Sequence, residues 1–396
     1  CTLGNGYVAT RGAAPESRAD SVHYPGTYIA GFYNRLTSSI AGRQVENESM
    51  VNLPNWLYTT FRLDDEPWFD LGEVEILRHE QDLDLERGLL VRRVRFRDHH
   101  GRTTRLVQRR LVHLASPHLA GLQTTLVAED WTGRLTVRSG IDVDVTNSGV
   151  PRYRDLASRH LVDQSDTEVA RDIVLHRART SQSGRTVAIA SRTRAGRGTQ
   201  AVESDSRYVH EDGITAHDVT VDLAEGQVLR LDKIVAIHTS TDHAITEPAS
   251  ESVDLARRSG DFDDLLPSHA RAWNRLWMLF RIGLSATPSA QQAIRLHLFH
   301  LLQTLSPHTA DLDAGVPARG LHGEAYRGLV FWDELFVLPT LTLRLPYLSR
   351  SLLLYRYRRL DQARMAARTA GRDGAMFPWQ SGSNGRDESQ RLHLNP

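Results

Sequence analysis

Apolar and polar positions alternate along Thr104–Val112 and again along Leu89–Phe96, the period-two pattern of strands with one buried face. Asp98-His99-His100-Gly101 between them supplies turn residues, so the two runs predict a β-hairpin. Further strands are expected over Leu122–Val127, Leu135–Val143, Thr186–Ser191, His217–Leu223 and Val228–Ile237. Many short strands punctuated by Gly, Asn and Asp, continuing to about residue 265, predict an antiparallel β-sandwich rather than alternating β-α units. The polar stretch Arg192–Arg207 reads as a long turn or an edge loop.

Near Pro267 the period changes to about 3.6: Trp273, Leu276, Trp277 and Phe280 form one apolar stripe of a helix. A second helix is expected from Thr287-Pro288, with threonine as N-cap and proline at N1, through Ile294, Leu298, Phe299 and Leu302. A third covers roughly Phe331–Leu345, and a fourth opens at Pro346 and ends at Gly371, a C′ glycine. The chain is β first and α afterwards, with no internal repeat.

Lys+Arg and Asp+Glu both number 48, so the net charge is zero and the broad basic surface of a nucleic-acid or anionic-membrane binder is missing. Lys233 is the single lysine, which fits the codon bias of a GC-rich genome. The single cysteine, Cys1, excludes an intrachain disulfide. No apolar run approaches the roughly 18 residues of a membrane span, and no signal-peptide pattern opens the chain. The first and last residues read like the interior of structured segments, so a fragment cut at both ends is expected.

Gly4-Asn5-Gly6-Tyr7-Val8-Ala9 matches G-x-G-x-x-A, but Arg11-Gly12-Ala13-Ala14-Pro15 is a poor helix, so a glycine-permitted turn is expected instead of a dinucleotide site. His297 and His300 share a helix face without carboxylates at matching spacing and read as packing or surface residues; no metal site is expected. Gly382-Ser383-Asn384-Gly385 is one residue off the nucleophile-elbow pattern and reads as a flexible loop, and Asn47-Glu48-Ser49 is a glycosylation sequon of a kind common by chance.

The informative region is 317–396. Glycines, aromatics and carboxylates crowd Gly320–Glu334, a loop that runs straight into a helix, and Gly374–Gly382 is a second aromatic loop placed after a helix. Aromatic faces stack on the C–H faces of sugars and carboxylates accept paired hydroxyl hydrogen bonds, so Trp332 beside Asp333 fits a pyranose cradle. On chemistry alone the alternative stands equal: Trp332 and Trp379 as core aromatics, and Asp333 as a carboxylate favoured by the helix dipole.

Thr2-Leu3-Gly4-Asn5-Gly6-Tyr7…Thr10-Arg11-Gly12, Tyr24-Pro25-Gly26-Thr27-Tyr28-Ile29-Ala30-Gly31, Gly323-Glu324-x-Tyr326-x-Gly328…Phe331-Trp332-Asp333, Leu353-Leu354-Tyr355-Arg356-Tyr357 and Gly374-Ala375-Met376-Phe377-Pro378-Trp379 together resemble glycoside hydrolase family 65. The resemblance covers essentially the whole chain. It implies an N-terminal antiparallel β-sandwich over 1–262, a helical linker over 263–286, and the start of an (α/α)6 barrel over 287–396. It also implies that Trp332 and Asp333 hold the glucosyl unit at subsite −1, with Trp379 as a further substrate-binding residue. The family's general acid, a glutamate in a Gly-Pro-Asp-Glu-like segment, has no counterpart here, so no catalytic residue is expected within this chain. Two departures, Leu329 where many members have histidine and Glu334 directly after Asp333, bear on linkage specificity.

The implied reaction is inverting phosphorolysis of an α-linked glucose disaccharide to β-glucose 1-phosphate plus glucose. Inorganic phosphate is the co-substrate, and no cofactor is needed. Phosphate is already a nucleophile, whereas an α-glucoside hydrolase would need a general base. A non-catalytic carbohydrate-binding protein is the reading from a different class. Glu324 and Glu334 are expected to orient the loop through a hydrogen bond, or to stand as a helix-start carboxylate, rather than to act as an acid pair. A cytoplasmic location and a homodimer, the assembly often found in the family, complete the expectation, with no nucleic-acid or membrane partner.

Overall fold

The computed structural model describes residues 1–197, 200–201, 204–243 and 245–389. Its β part is an antiparallel sandwich. Among the described residues the larger sheet runs, in spatial order, Leu161–Ala170, Ile173–Thr180, Thr186–Arg197, Val228–Thr239, Leu119–Ala128, Thr103–Val112, Leu89–Arg97 and Glu75–Asp84, with Gln200–Ala201 paired to the side. The facing sheet runs Asp205–Glu211, Ile214–Leu223, Gly133–Asp142 and Thr59–Leu63. The expected hairpin is present in register, Phe96 opposite Thr104 and Leu90 opposite Arg110.

Between the sheets lie Phe61, Val94, Phe96, Leu106, Leu126, Leu135, Val137, Val219 and Leu231, all buried. The lone lysine crosses this core: Lys233 Nζ donates to the Tyr58 carbonyl at 2.8 Å and the Gly140 carbonyl at 2.5 Å, both on the opposite side. Burial holds its ammonium well below the usual lysine range.

Arg192–Arg207 departs from the expected loop. Arg192 to Arg197 extend the strand begun at Thr186, and Asp205–Glu211 is a strand of the facing sheet; residues 198–199 and 202–203 lie outside the described residues. The polar composition misleads because Arg192 is fully buried, its guanidinium capping the Ala256, Ser259 and Gly260 carbonyls at 2.7, 2.6 and 2.7 Å. Those carbonyls close helix α1 (Pro248–Arg258), which lies on the large sheet. Its buried face is built from Ala249, Ser252, Val253 and Ala256, too small and too polar to stand out as an apolar stripe.

Helix α2 (Phe262–Phe280) buries Trp273, Leu276, Trp277 and Phe280 as expected, but begins before Pro267, where the Asp264 carboxylate accepts the Asp261 N–H at 2.9 Å. Helix α3 (Pro288–Thr304) has Thr287 as N-cap, accepting the Ala290 N–H at 3.3 Å. Helix α4 (Glu334–Arg344) is shorter than expected, because Val330–Phe331 form a strand. The single helix expected from Pro346 is two, α5 (Pro346–Tyr357) and α6 (Leu360–Thr369). Arg359 breaks them with φ −108° and ψ 16°, its guanidinium held by Asp313 and the Ser383 carbonyl. Gly371 is the left-handed residue after α6, at φ +67°.

The turn at Gly4-Asn5-Gly6 joins the two halves. Buried Asn5 accepts from the Tyr7 and Val8 N–H groups and donates to the His113 and Pro117 carbonyls. A Cβ on Gly6, at φ +83°, would lie 2.4 Å from Ser306 Oγ. The glycine therefore lets the stretch after α3 pack against the N-terminus, where Thr309 Oγ1 donates to the Gly6 carbonyl at 2.9 Å.

Candidate functional site

The first aromatic loop is fixed from below by Glu324. Its carboxylate accepts from Tyr24 Oη at 2.6 Å, Tyr28 Oη at 2.9 Å and the Gly149 N–H at 2.9 Å. Burial raises its pKa, and these hydrogen bonds oppose the rise. With both oxygens occupied, Glu324 is an anchor, as the sequence suggests. Beyond it the chain turns through Tyr326 and Arg327 at φ +54° and +58°, unusual for non-glycine residues. Arg327 is locked in place, donating to Asn47 Oδ1 and to the Glu388 carbonyl, both at 2.7 Å. Tyr33 Oη donates to the Gly328 carbonyl at 2.8 Å, and a Cβ on Gly328 would meet the Met50 side chain at 2.6 Å.

From this turn the chain enters the strand Val330–Phe331, which pairs antiparallel with Gln380–Ser381: Val330 opposite Ser381, Phe331 opposite Gln380. The next residues outward are Trp332 and Trp379. Their ring centroids are 5.5 Å apart at 45°, and Phe336 meets Trp332 edge-on, also at 5.5 Å. Trp332 is 39% and Trp379 58% exposed, so the two are not core aromatics. Asp333 stands next to them as the residue preceding α4, half-buried, and its carboxylate makes no capping bond to the helix. The two loops picked out in the sequence therefore converge on one open aromatic surface with a carboxylate at its edge.

Glu334, by contrast, points into the protein and pairs with Arg356 Nε of α5 at 2.5 Å. Burial raises its pKa against the pull of Arg356, which also donates to the Phe331 carbonyl at 3.3 Å. The second loop is held as firmly. Met376 N–H donates to the Ala363 carbonyl at 2.8 Å, and Tyr355 Oη to the Gly382 carbonyl at 2.5 Å. Gly382–Gly385 is pinned where a flexible loop was expected: the Ser383 N–H and hydroxyl both donate to buried Glu48.

Sequence reasoning gave no weight to the buried ionic group under this loop. Arg35 donates to Glu388 at 2.6 Å and Glu48 at 3.4 Å, and the Glu388 backbone pairs with Gln380. These residues are far apart in sequence and carry no local signature. Asn47 of the sequon is buried and accepts from Arg327, so a glycan there is sterically excluded. His297 is exposed, and His300 is half-buried with Gln303 at 2.8 Å from its Nδ1 and the His322 ring beside it. Burial lowers the pKa of His322 to about 4.

The chain is an antiparallel β-sandwich followed by helices whose connecting loops bring two tryptophans and an aspartate together. Residues 1–276 match the family model "Glycosyl hydrolase family 65, N-terminal domain" and residues 295–396 the model "Glycosyl hydrolase family 65 central catalytic domain". The chain belongs to glycosyl hydrolase family 65. It is 50% identical over its whole length to an uncharacterized glycosyl hydrolase of Mycobacterium tuberculosis (strain H37Rv), covering 30% of that protein. It is 33% identical to the trehalose 6-phosphate phosphorylase of Lactococcus lactis, covering all of this chain and 49% of that enzyme. It is 30% identical to the kojibiose phosphorylase of Halothermothrix orenii, covering 98% and 48%. A solved structure of a human-microbiome protein described as a kojibiose phosphorylase superposes with TM-score 0.82 over 98% of this chain and 50% of that one at 20% identity, which shows the shared fold. The chain thus spans half or less of the length of these relatives. Among the described residues no helix is long and apolar enough to cross a membrane.

Proposed function

We propose that the protein takes part in inverting phosphorolysis of an α-linked glucose disaccharide, releasing β-glucose 1-phosphate and a second sugar, with Trp332, Asp333 and Trp379 holding the glucosyl unit. The observation that carries this reading is the exposed Trp332–Trp379 pair beside Asp333. The tryptophan faces stack on a pyranose, and the carboxylate accepts two of its hydroxyls. Several relatives are named as phosphorylases, of trehalose 6-phosphate, kojibiose, trehalose and nigerose, which supports phosphate as the acceptor. In such a reaction a carboxylic acid protonates the leaving oxygen while phosphate enters from the opposite face, so no general base is required. Glu324 and Glu334 are committed to Tyr24, Tyr28 and Arg356, so the proposal assigns the acid to neither of them.

The mycobacterial relative is named as a glycosyl hydrolase, which keeps water as the alternative acceptor. The experiment incubates the full-length protein with maltose, trehalose, trehalose 6-phosphate, kojibiose and nigerose, each with and without inorganic phosphate. Glucose 1-phosphate formed from one of them only when phosphate is present is the expected result. Sugar release indifferent to phosphate would establish the hydrolase, and saturable binding without turnover on any substrate would establish a binding protein.

A further inference from the structure

The tip of the 89–112 hairpin carries a group that spacing along the sequence does not disclose. His99 and His100 are successive turn residues, yet both direct Nε2 at one carboxylate: His100 lies 2.7 Å from Glu66 Oε1 and His99 3.3 Å from Glu66 Oε2. The three ligand atoms fall within 4.8 Å of one another, and the imidazole centroids are 4.0 Å apart. Ligands around a tetrahedral zinc ion at its usual bond lengths stand about 3.3 Å apart, so the group needs only a small adjustment to enclose one.

Hydrogen bonds shape the hairpin tip. The Asp98 carboxylate accepts the His100 and Arg102 N–H groups at 2.9 and 3.0 Å, and Gly101 takes φ +81°. Arg102 joins the hairpin tip to the turn that carries Glu66, bonding Asp98 at 2.6 Å and Asp64 at 3.1 Å. Its guanidinium charge is thereby matched by two carboxylates outside the group. The two histidine side chains are 61% and 52% exposed, which leaves coordination positions open to water.

We propose that Glu66, His99 and His100 form a surface site for a divalent first-row transition cation of the zinc class. Two imidazoles and one carboxylate select such a borderline ion over magnesium or calcium, which prefer all-oxygen shells. Bound there, the ion would fasten the hairpin tip to the 64–70 turn. Because ligands on both turns are needed, binding also raises the melting temperature.

The test is a calorimetric titration of the full-length protein with zinc chloride near neutral pH, in a buffer free of phosphate and chelators. One saturable event is expected. His99→Ala, His100→Ala and Glu66→Gln should each weaken it about tenfold or more, in line with what disturbing a metal site's supporting residues alone costs. His23→Ala, which removes the imidazole of an exposed His23–Asp20 pair, should leave it unchanged. With copper(II) in place of zinc, the electron paramagnetic resonance spectrum should carry couplings from two imidazole nitrogens, reduced to one in either histidine variant. Zinc affinity unaltered in both histidine variants, or no saturable binding by the unmodified protein, would overturn the proposal. Circular dichroism of these exposed-site variants checks that the fold is intact.

Discussion

Trp332 and Trp379 lie side by side, ring centroids 5.5 Å apart, because a two-residue ladder, Val330–Phe331 against Gln380–Ser381, aligns the loops that carry them. If the pair is a sugar platform, Trp379→Ala should raise KM by roughly twofold to thirteenfold, the equivalent of the 0.5–1.5 kcal/mol of one aromatic stack, with little change in Tm. Steady-state kinetics with the preferred disaccharide measures this. An unchanged KM would remove Trp379 from the site.

Glu324 should behave as an anchor. Gln in its place would turn an amide N–H₂ towards Tyr24, Tyr28 or the Gly149 N–H, where the structure has an acceptor of three hydrogen bonds. Glu324→Gln is therefore expected to lower stability by about 1–3 kcal/mol in denaturant unfolding, while the folded fraction keeps most of its kcat. Loss of kcat by several orders of magnitude at unchanged stability would instead make Glu324 catalytic.

The Glu334–Arg356 pair bridges the start of α4 and α5, with the carboxylate buried and the guanidinium largely so. Arg356→Met alone strands a buried carboxylate and should cost about 3–5 kcal/mol, whereas Glu334→Gln combined with Arg356→Met should recover most of that loss. A double-mutant cycle by chemical unfolding gives the coupling.

Histidines hold the 113–118 loop in their neutral form. Leu114 N–H donates to His269 Nδ1 at 3.0 Å and Ser116 N–H to His113 Nδ1 at 2.9 Å, so neither nitrogen carries a proton. Burial lowers the pKa of His269 to about 3 and also lowers those of His113 and His308. The unfolded chain takes up these protons near its ordinary histidine pKa of about 6.5 and the folded chain does not. Their stabilisation is therefore complete above about pH 6.5 and is lost as pH falls towards the folded value, at up to about 1.4 kcal/mol per pH unit for each group. His269→Asn keeps an acceptor near the δ position, and unfolding free energies between about pH 6.5 and 4 should show a shallower slope for that variant.

Much of this architecture is legible in the chain. The 89–112 hairpin, the α2 stripe and the Thr287 cap are local patterns, each set by a few neighbouring residues. The edge strands Glu75–Asp84 and Leu161–Ala170 are not, because at the two ends of the large sheet most positions are exposed and polar, which breaks the alternating pattern. Arg192 hides a strand because its charge is met by backbone carbonyls brought from α1, about which the local sequence says nothing. At the site, the composition of the two aromatic loops suggests a shared purpose, and only the 330–381 ladder brings them together. Glu66 escapes notice because it approaches His99 and His100 through the fold, 34 positions before His100.

The most direct test of the sugar-binding claim is kcat/KM for the full-length protein carrying Asp333→Ala, compared with the unmodified protein on whichever disaccharide it is found to turn over. Because the Asp333 carboxylate makes no capping bond to α4, circular dichroism and Tm should be nearly unchanged. The account predicts that turnover is abolished. A variant with near-original kcat/KM would contradict it and remove Asp333 from the site.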